Sequence, residues 1–239
     1  MADERLIVAL DVSAMDEVKK LVEEIGDTVV YYKVGMELFY AVGAEVITYL
    51  KGQGKKIFLD LKLHDIPNTV AKSLRVLTSL GVDMINVHAT GGAEMMKKAA
   101  AAIQDEAVNR GIEPPKIVAV TILTSTSKEQ WKEMGYQVDL DTHVIHLAKL
   151  AQRAGLDGVV ASPMEAQTIR ETCGKDFLIV TPGVRPIGAA INDQSRITTP
   201  SIALESGSTH LVVGRPIYTA MNPRHASENI LKEMESVHI

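Results

Sequence analysis

The chain has 239 residues, 46% of them hydrophobic, and a formal net charge of −5. That length and apolar content support a sizeable core in one domain spanning residues 1–239, and the lack of a basic stripe argues against duplex nucleic acid as a partner. Cys173 is the single cysteine, which excludes an intramolecular disulfide and a cysteine-rich metal site; its flanks, Glu171-Thr172 and Gly174, offer no adjacent base, so it reads as an ordinary thiol.

The first residues, Met1-Ala2-Asp3-Glu4-Arg5, carry no basic region followed by a long apolar one, as a secretory signal would. No apolar run approaches the roughly 20 residues of a membrane span. The expectation is a soluble, cytoplasmic protein with no membrane partner.

Eight short β-branched runs follow in chain order: Leu6–Val12, Val29–Gly35, Lys56–Lys62, Met84–Thr90, Lys116–Leu123, Gly158–Pro163, Phe177–Gly183 and His210–Pro216. Most are continuously apolar, as parallel strands covered on both faces should be. Amphipathic stretches separate them. Ser13-Ala14-Met15-Asp16 predicts a capping box after the first run, and Ser162-Pro163-Met164-Glu165 predicts another, with proline at the first helical position. Three joints repeat, at Ser79–Asp83, Arg153–Asp157 and Glu205–Thr209. In each, a glycine able to close a helix in the left-handed region precedes a strand by a few residues. The longest irregular stretches, Thr124–Asp141 and Val184–Thr199, are candidate lids or ligand clamps. Even spacing, and the lack of a Gly-x-Gly-x-x-Gly turn after the first run, favour a closed (β/α)8 TIM barrel over an open doubly wound sheet.

In such a barrel the site lies at the C-terminal ends of the strands. There the sequence places Asp11, Lys33, Asp60 and Lys62, with His64, Asp65 and His88 nearby. Alternation along the third strand puts Asp60 and Lys62 on one side and Leu59, Leu61 and Leu63 on the other, toward the helices. Any one such charge reads conservatively as a rim ion pair. The set reads as a site, because burying charge costs desolvation that a scaffold can avoid. The histidines and aspartates match no metal-ligand spacing, and the lysines would repel a cation, so His64 and His88 read as packing or hydrogen-bonding residues. At the other side, Pro182 and Arg185 end the seventh run, Gln194 lies in the loop beyond it, and Gly214 and Arg215 end the eighth. Barrels often hold phosphate there, and arginine adds a forked donor.

The run Asp60-Leu61-Lys62-Leu63-His64-Asp65-Ile66-Pro67 resembles the signature of the orotidine 5′-monophosphate decarboxylase family, bacterial type. The resemblance covers nearly the whole chain, including Ala9-Leu10-Asp11, Lys33-Val34-Gly35, Asn86-Val87-His88-Ala89, Leu123-Thr124-Ser125, Thr181–Arg185, Asn192-Asp193-Gln194 and Val213-Gly214-Arg215. It implies a lyase of pyrimidine biosynthesis that converts orotidine 5′-monophosphate to uridine 5′-monophosphate without metal or cofactor. It also implies roles. Lys62 would donate a proton to pyrimidine C6. Asp60 would stand beside the substrate carboxylate, and Lys33 and Asp65 would complete a charge network. Asp11 and Lys33 would hold the ribose; Pro182, Arg185, Gln194, Gly214 and Arg215 would lie at the phosphate end. Thr124 and the Ser125–Ser127 stretch fall where the family contacts the base, with the choice of hydroxyl, Thr124 or Ser127 included, left open. Asp65, Ile66 and Thr69 would enter the partner's site in a homodimer. For Thr69 the residues themselves also allow a helix-start role, beside Asn68 as N-cap. Two other readings of the charged core stand beside this one: a sugar-phosphate decarboxylase such as 3-keto-gulonate-phosphate decarboxylase, which needs magnesium, and a non-catalytic nucleotide-binding barrel.

Overall fold

The computed structural model describes residues 3–186 and 198–237. Strand β1 (Leu6–Leu10) is followed by helix α1 (Met15–Ile25), β2 (Tyr31–Gly35) by α2 (Met36–Val42) and α3 (Glu45–Gly52), and β3 (Lys56–Leu63) by α4 (Pro67–Thr78). Then come β4 (Met84–His88), α5 (Gly92–Arg110), β5 (Lys116–Val120), α6 (Lys128–Glu133) and α7 (Leu140–Arg153). The chain ends with β6 (Gly158–Val160), α8 (Ala166–Cys173), β7 (Leu178–Pro182), α9 (Pro200–Glu205), β8 (His210–Val213), α10 (Arg215–Tyr218) and α11 (Pro223–Glu235). The strands pair in sequence order, all parallel, and β8 closes on β1. The eight-stranded barrel anticipated from the sequence is therefore present; every strand starts within two residues of its expected run, and β1, β4, β5, β6 and β8 stop two or three residues short of it. No helix among the described residues is long and apolar enough to cross a membrane.

Alternation along the strands splits the core into two layers. Ile7, Ala9, Tyr31, Phe58, Met84, Val118, Val180 and Val212 point inward and plug the barrel. Their neighbours, such as Leu6, Val8, Tyr32, Val34, Leu59 and Leu61, point outward against the helices. Each large apolar side chain so buried contributes about 1.5–3 kcal/mol over its exposed state. The same period sets the site. Two residues beyond the plug, inward positions fall on Asp11 of the β1 loop, Lys33, Asp60 and Gly214. Gly158, inward on the short β6, has a packing reason for its missing side chain: a Cβ there would stand 2.2 Å from the Leu178 carbonyl oxygen.

The repeated joints have a common structural role. Gly81, Gly155 and Gly207 take positive φ (73°, 86° and 101°), as a helix-closing glycine should. Just beyond each, a side chain locks an earlier strand. Asp83 accepts the Ile57 N–H at 2.8 Å, Asp157 accepts the Ile117 N–H at 2.9 Å, and Thr209 accepts the Ile179 N–H at 2.9 Å.

Several local expectations change. The box expected at Ser13 does not form: α1 is capped by Ala14 without a side-chain bond, and the Ser13 N–H donates to Glu17 instead. At Ser162 Glu165 accepts the Ser162 N–H at 2.9 Å, but the Ser162 hydroxyl accepts the Met164 N–H at 3.3 Å, and these bonds close a turn, with α8 beginning only at Ala166. Asn68 is not an N-cap; Ile66 occupies that position and Pro67 is the first helical residue. The stretch 124–141 is not irregular throughout, since it contains α6, opened by a complete capping box between Ser127 and Gln130. Cys173 is buried, and burial pushes its thiol up, as an inert thiol requires.

Candidate active site

The C-terminal mouth of the barrel holds a chain of alternating charges. Lys33 Nζ lies 3.1 Å from Asp11 Oδ1 and 3.5 Å from Asp60 Oδ2, and Lys62 Nζ lies 2.7 Å from Asp60 Oδ1. Four of the residues expected from sequence thus converge, at the C-terminal ends of β1, β2 and β3. The side chains of Lys33 and Asp60 are only 12% and 11% exposed. Burial pushes the Asp60 carboxyl up, but the Lys33 and Lys62 charges, with hydrogen bonds from Lys62 and Asn86, outweigh it and hold the group below its ordinary value. Asp60 is therefore a carboxylate at neutral pH.

Asp60 and Lys62 meet on one side as expected, but not through regular strand geometry. Lys62 has φ +52°, the single positive φ on a non-glycine among the described residues. A conformation of that kind on a residue with a Cβ costs on the order of 1–3 kcal/mol and needs surroundings that enforce it. Two contacts hold it: the Lys62 N–H donates to Asn86 Oδ1 at 2.8 Å, and Asn86 Nδ2 donates to Asp60 Oδ1 at 2.6 Å. Sequence reasoning gave Asn86 no role of its own. The available signal was a lone amide within Met84-Ile85-Asn86-Val87-His88, an otherwise apolar strand interior.

Above these charges is a cavity of about 210 Å³, lined by Lys33, Asp60, Lys62, Thr124 and Pro182 over apolar walls from Phe58, Val120 and Val212. Ligand sites commonly exceed about 300 Å³, so this one suits a ring-sized group, with the rest of a larger ligand running along the open rim. Larger recesses lie elsewhere, including one of about 590 Å³ at the N-terminal mouth, but they lack the buried, shared charges. Thr124 lines the cavity, whereas the Ser127 hydroxyl accepts the Gln130 N–H at 3.2 Å and caps α6. The geometry thus separates the two hydroxyls that the sequence left open.

At the rim, β8 runs into Gly214 and Arg215, the first residue of α10. A side chain at Gly214 would stand 3.1 Å from Asp11 Oδ2, so glycine keeps the mouth open there. Arg185 is buried, its Nη1 donating to the Val184 carbonyl at 3.0 Å. The Arg185 N–H also bonds the Thr198 carbonyl at 3.0 Å, pinning the base of the β7–α9 loop. Gln194 lies outside the described residues.

Asp65 stands apart from the charge chain. It is exposed, and its carboxylate accepts the Ile66 backbone N–H at 2.6 Å. Ile66 is 66% exposed, and Thr69 is exposed on the first turn of α4. His64 and His88 lie with ring centroids 5.5 Å apart, and burial together with His64 and Lys62 lowers the His88 pKa. The contact between the two rings fits the packing role expected of them. Among the described residues, no three His, Cys, Asp or Glu side chains gather into a set that could hold a metal ion.

Comparison with known proteins agrees with this geometry. The family model described as orotidine 5′-phosphate decarboxylase / HUMPS family matches residues 4–230. The orotidine 5′-phosphate decarboxylase of Carboxydothermus hydrogenoformans is 52% identical over 98% of this chain and 97% of its own length. That of Moorella thermoacetica is 48% identical over 99% and 94%. Among solved structures, the Lactobacillus acidophilus orotidine 5′-phosphate decarboxylase superposes with a TM-score of 0.86 at 43% identity, covering 97% of this chain and 99% of that one. With sequence, fold and cavity in agreement over the length of the barrel, the chain belongs to the orotidine 5′-phosphate decarboxylase / HUMPS family.

Proposed function

We propose that this protein decarboxylates orotidine 5′-monophosphate to uridine 5′-monophosphate, a step of pyrimidine biosynthesis, without metal or cofactor. The observation that carries the reading is the Asp11–Lys33–Asp60–Lys62 chain, nearly buried at Lys33 and Asp60, under a ring-sized cavity. Relatives with about half of their residues identical are named for that reaction.

Loss of CO2 from pyrimidine C6 leaves a vinyl carbanion with no obvious electron sink, a problem for which most decarboxylases recruit a cofactor. Here the developing charge is met by a fixed cation. Lys62 stabilises it electrostatically and then delivers its proton to C6. Asp60 faces the substrate carboxylate and repels it. At about 4 Å and an effective dielectric near 20, that repulsion is about 4 kcal/mol, on the order of a thousandfold in rate if fully relieved. It is the smaller share, and the role of such destabilisation is contested. Asp60 also fixes the Lys62 ammonium, with which it shares a 2.7 Å contact. The two ammonium groups beside Asp60 oppose a metal cation at this carboxylate, which favours orotidine monophosphate over the magnesium-dependent ketogulonate chemistry.

Asp11 and Lys33 would hold ribose hydroxyls, Thr124 and Pro182 would border the base, and Arg185, Gln194, Gly214 and Arg215 would hold the phosphate. Binding energy from that remote phosphate can be realised in the transition state through closure of the loops after β5 and β7. Asp65, Ile66 and Thr69 would reach the partner's site in a homodimer; their exposure on one chain supports this. Ser127 caps α6 and does not line the cavity, which Thr124 does.

The test is an absorbance assay of orotidine monophosphate loss by the purified protein, with and without a chelator. Turnover insensitive to chelator is expected. Binding of the nucleotide without turnover would favour a non-catalytic barrel, and chelator-sensitive turnover of ketogulonate phosphate alone would favour the sugar-phosphate reading.

A further inference from the structure

Strands β3 and β4 pair at Phe58↔Met84 and Leu59↔Ile85, then next at Leu63↔Val87. Asp60, Leu61 and Lys62 therefore face a single residue of β4, Asn86. A bulge of this kind takes backbone groups out of the ladder and re-aims side chains, and bulges gather beside active sites. The Asn86 side chain stands in the gap. Its Oδ1 accepts the Lys62 N–H at 2.8 Å in place of a ladder carbonyl, and its Nδ2 donates to Asp60 Oδ1 at 2.6 Å. The residue is wholly buried.

We propose that Asn86 is a positioning residue, a brace that holds the Lys62 backbone in the left-handed region and so aims its ammonium at Asp60 Oδ1 and the cavity. The inference rests on the reading above that Lys62 is the proton donor.

Packing alone does not account for an amide at this position. An apolar residue of the same size would fill the space without the cost of burying polar atoms. An amide has one acceptor and one donor end, and here each end meets a different member of the reacting pair. One side chain thereby fixes the distance between the Lys62 main chain and the Asp60 carboxylate. Without it, the Lys62 N–H loses its acceptor and Asp60 loses one of its donors. The low-energy response is for Lys62 to return to negative φ, which withdraws its ammonium from Asp60. Asn86 does not itself line the cavity and meets it only through Asp60 and Lys62, so its effect should fall on the chemical step more than on substrate affinity.

The experiment compares the full-length protein with Asn86→Ala and Asn86→Asp, measuring kcat and KM for orotidine monophosphate across pH, thermal midpoints, and a crystal structure of Asn86→Ala. For Asn86→Ala, kcat should fall on the order of 100-fold, the effect of a displacement of about 1 Å, while KM changes by less than about threefold. Lys62 should adopt negative φ in that crystal structure. Asn86→Asp keeps the acceptor for the Lys62 N–H but sets a second carboxylate beside Asp60. It should recover part of the lost kcat and move the acidic limb of kcat/KM to higher pH, since two carboxylates then share one site. A purely structural role would lower the thermal midpoint and leave kcat per folded molecule and the acidic limb unchanged, and that outcome overturns the proposal. If Asn86→Ala does not fold, Asn86→Asp decides: parent-like kcat with an unshifted acidic limb overturns it. If the unsubstituted protein shows no turnover, the proposed function fails on its own. The brace is then judged by the Asn86→Ala crystal structure, where an unchanged positive φ at Lys62 rejects it.

Discussion

Both mouths of this barrel are ringed by lysines paired with carboxylates, yet the two ends differ in kind. At the N-terminal mouth, Lys51 pairs with Asp83, Lys56 with Glu4 and Lys116 with Asp157. These pairs are one to one and open to solvent; Lys116 is 60% exposed. Asp83 and Asp157 also hold strand N–H groups, so their work is structural. At the C-terminal mouth, Asp60 is shared between two lysines, is nearly buried, and is held in place by a residue in the left-handed region. The same residue types make a scaffold at one end and a site at the other. What separates them is desolvation and stored strain, neither of which a barrel needs for stability.

The comparison can be broken at several points. Lys62→Ala should cost at least about 10⁴-fold in turnover, since it removes both the proton donor and the charge that meets the carbanion, with circular dichroism unchanged. A second disruption tests whether the C-terminal mouth is completed by a partner chain. Lys62→Ala and Asp65→Ala, each inactive alone, should regain about one quarter of the parent activity on equal mixing, because half of the sites in hybrid dimers of a two-fold assembly are intact. No recovery on mixing, with subunit exchange verified by mass, would place Asp65 in its own chain's site or outside any site.

The N-terminal mouth offers a contrasting titration. His210 lies there edge-on to Tyr31, with its Nδ1 2.9 Å from the Thr209 hydroxyl and Glu4, Lys56 and Asp3 as the charges around it. Burial pushes its pKa down to about 4. The unfolded imidazole takes up a proton near its ordinary value of 6.5 while the folded one does not, so stability should fall as pH drops through that window. The loss is up to about 3 kcal/mol, read as the difference in urea midpoint between the parent and His210→Phe at pH 7.5 and pH 4.5. Asp60, held below its ordinary value, stays ionised over most of this range, and the lowered pKa of His88 acts alike in parent and variant, so the difference between them belongs to His210. Equal pH dependence in parent and variant would refute the assignment. At the phosphate rim, Arg215→Ala should lower kcat/KM by about 10–100-fold, the worth of one charge-assisted hydrogen bond, mainly through KM; an unchanged kcat/KM would contradict the phosphate role.

Much of this was legible in the sequence because period-2 alternation and the βα rhythm are local signals. Eight apolar runs gave eight strands, and the polar residues at their C-terminal ends gave Asp11, Lys33 and Asp60. What stayed hidden depends on contacts between distant segments. The φ of Lys62 and the role of Asn86 arise from a β3–β4 register shift that no single strand encodes. Helix α6 was hidden for a different reason: Ser127-Lys128-Glu129-Gln130 is a complete capping-box signature, but it precedes only a six-residue helix without a strong apolar stripe. At Ser13 the signature misled, because capping depends on where the chain leaves β1 and not only on residue type. Asn68 misled similarly, since Pro67 already fixes the first helical position and moves the cap to Ile66.

The most direct test sets one lysine from each mouth against the other. Lys62→Ala and Lys116→Ala are assayed beside the parent for orotidine monophosphate loss at matched folded concentration. An exposed pair such as Lys116–Asp157 is worth at most about 1 kcal/mol of stability, so Lys116→Ala should keep the parent rate while Lys62→Ala loses at least about 10⁴-fold. Comparable rates for the two variants would contradict the assignment of the chemistry to the C-terminal mouth.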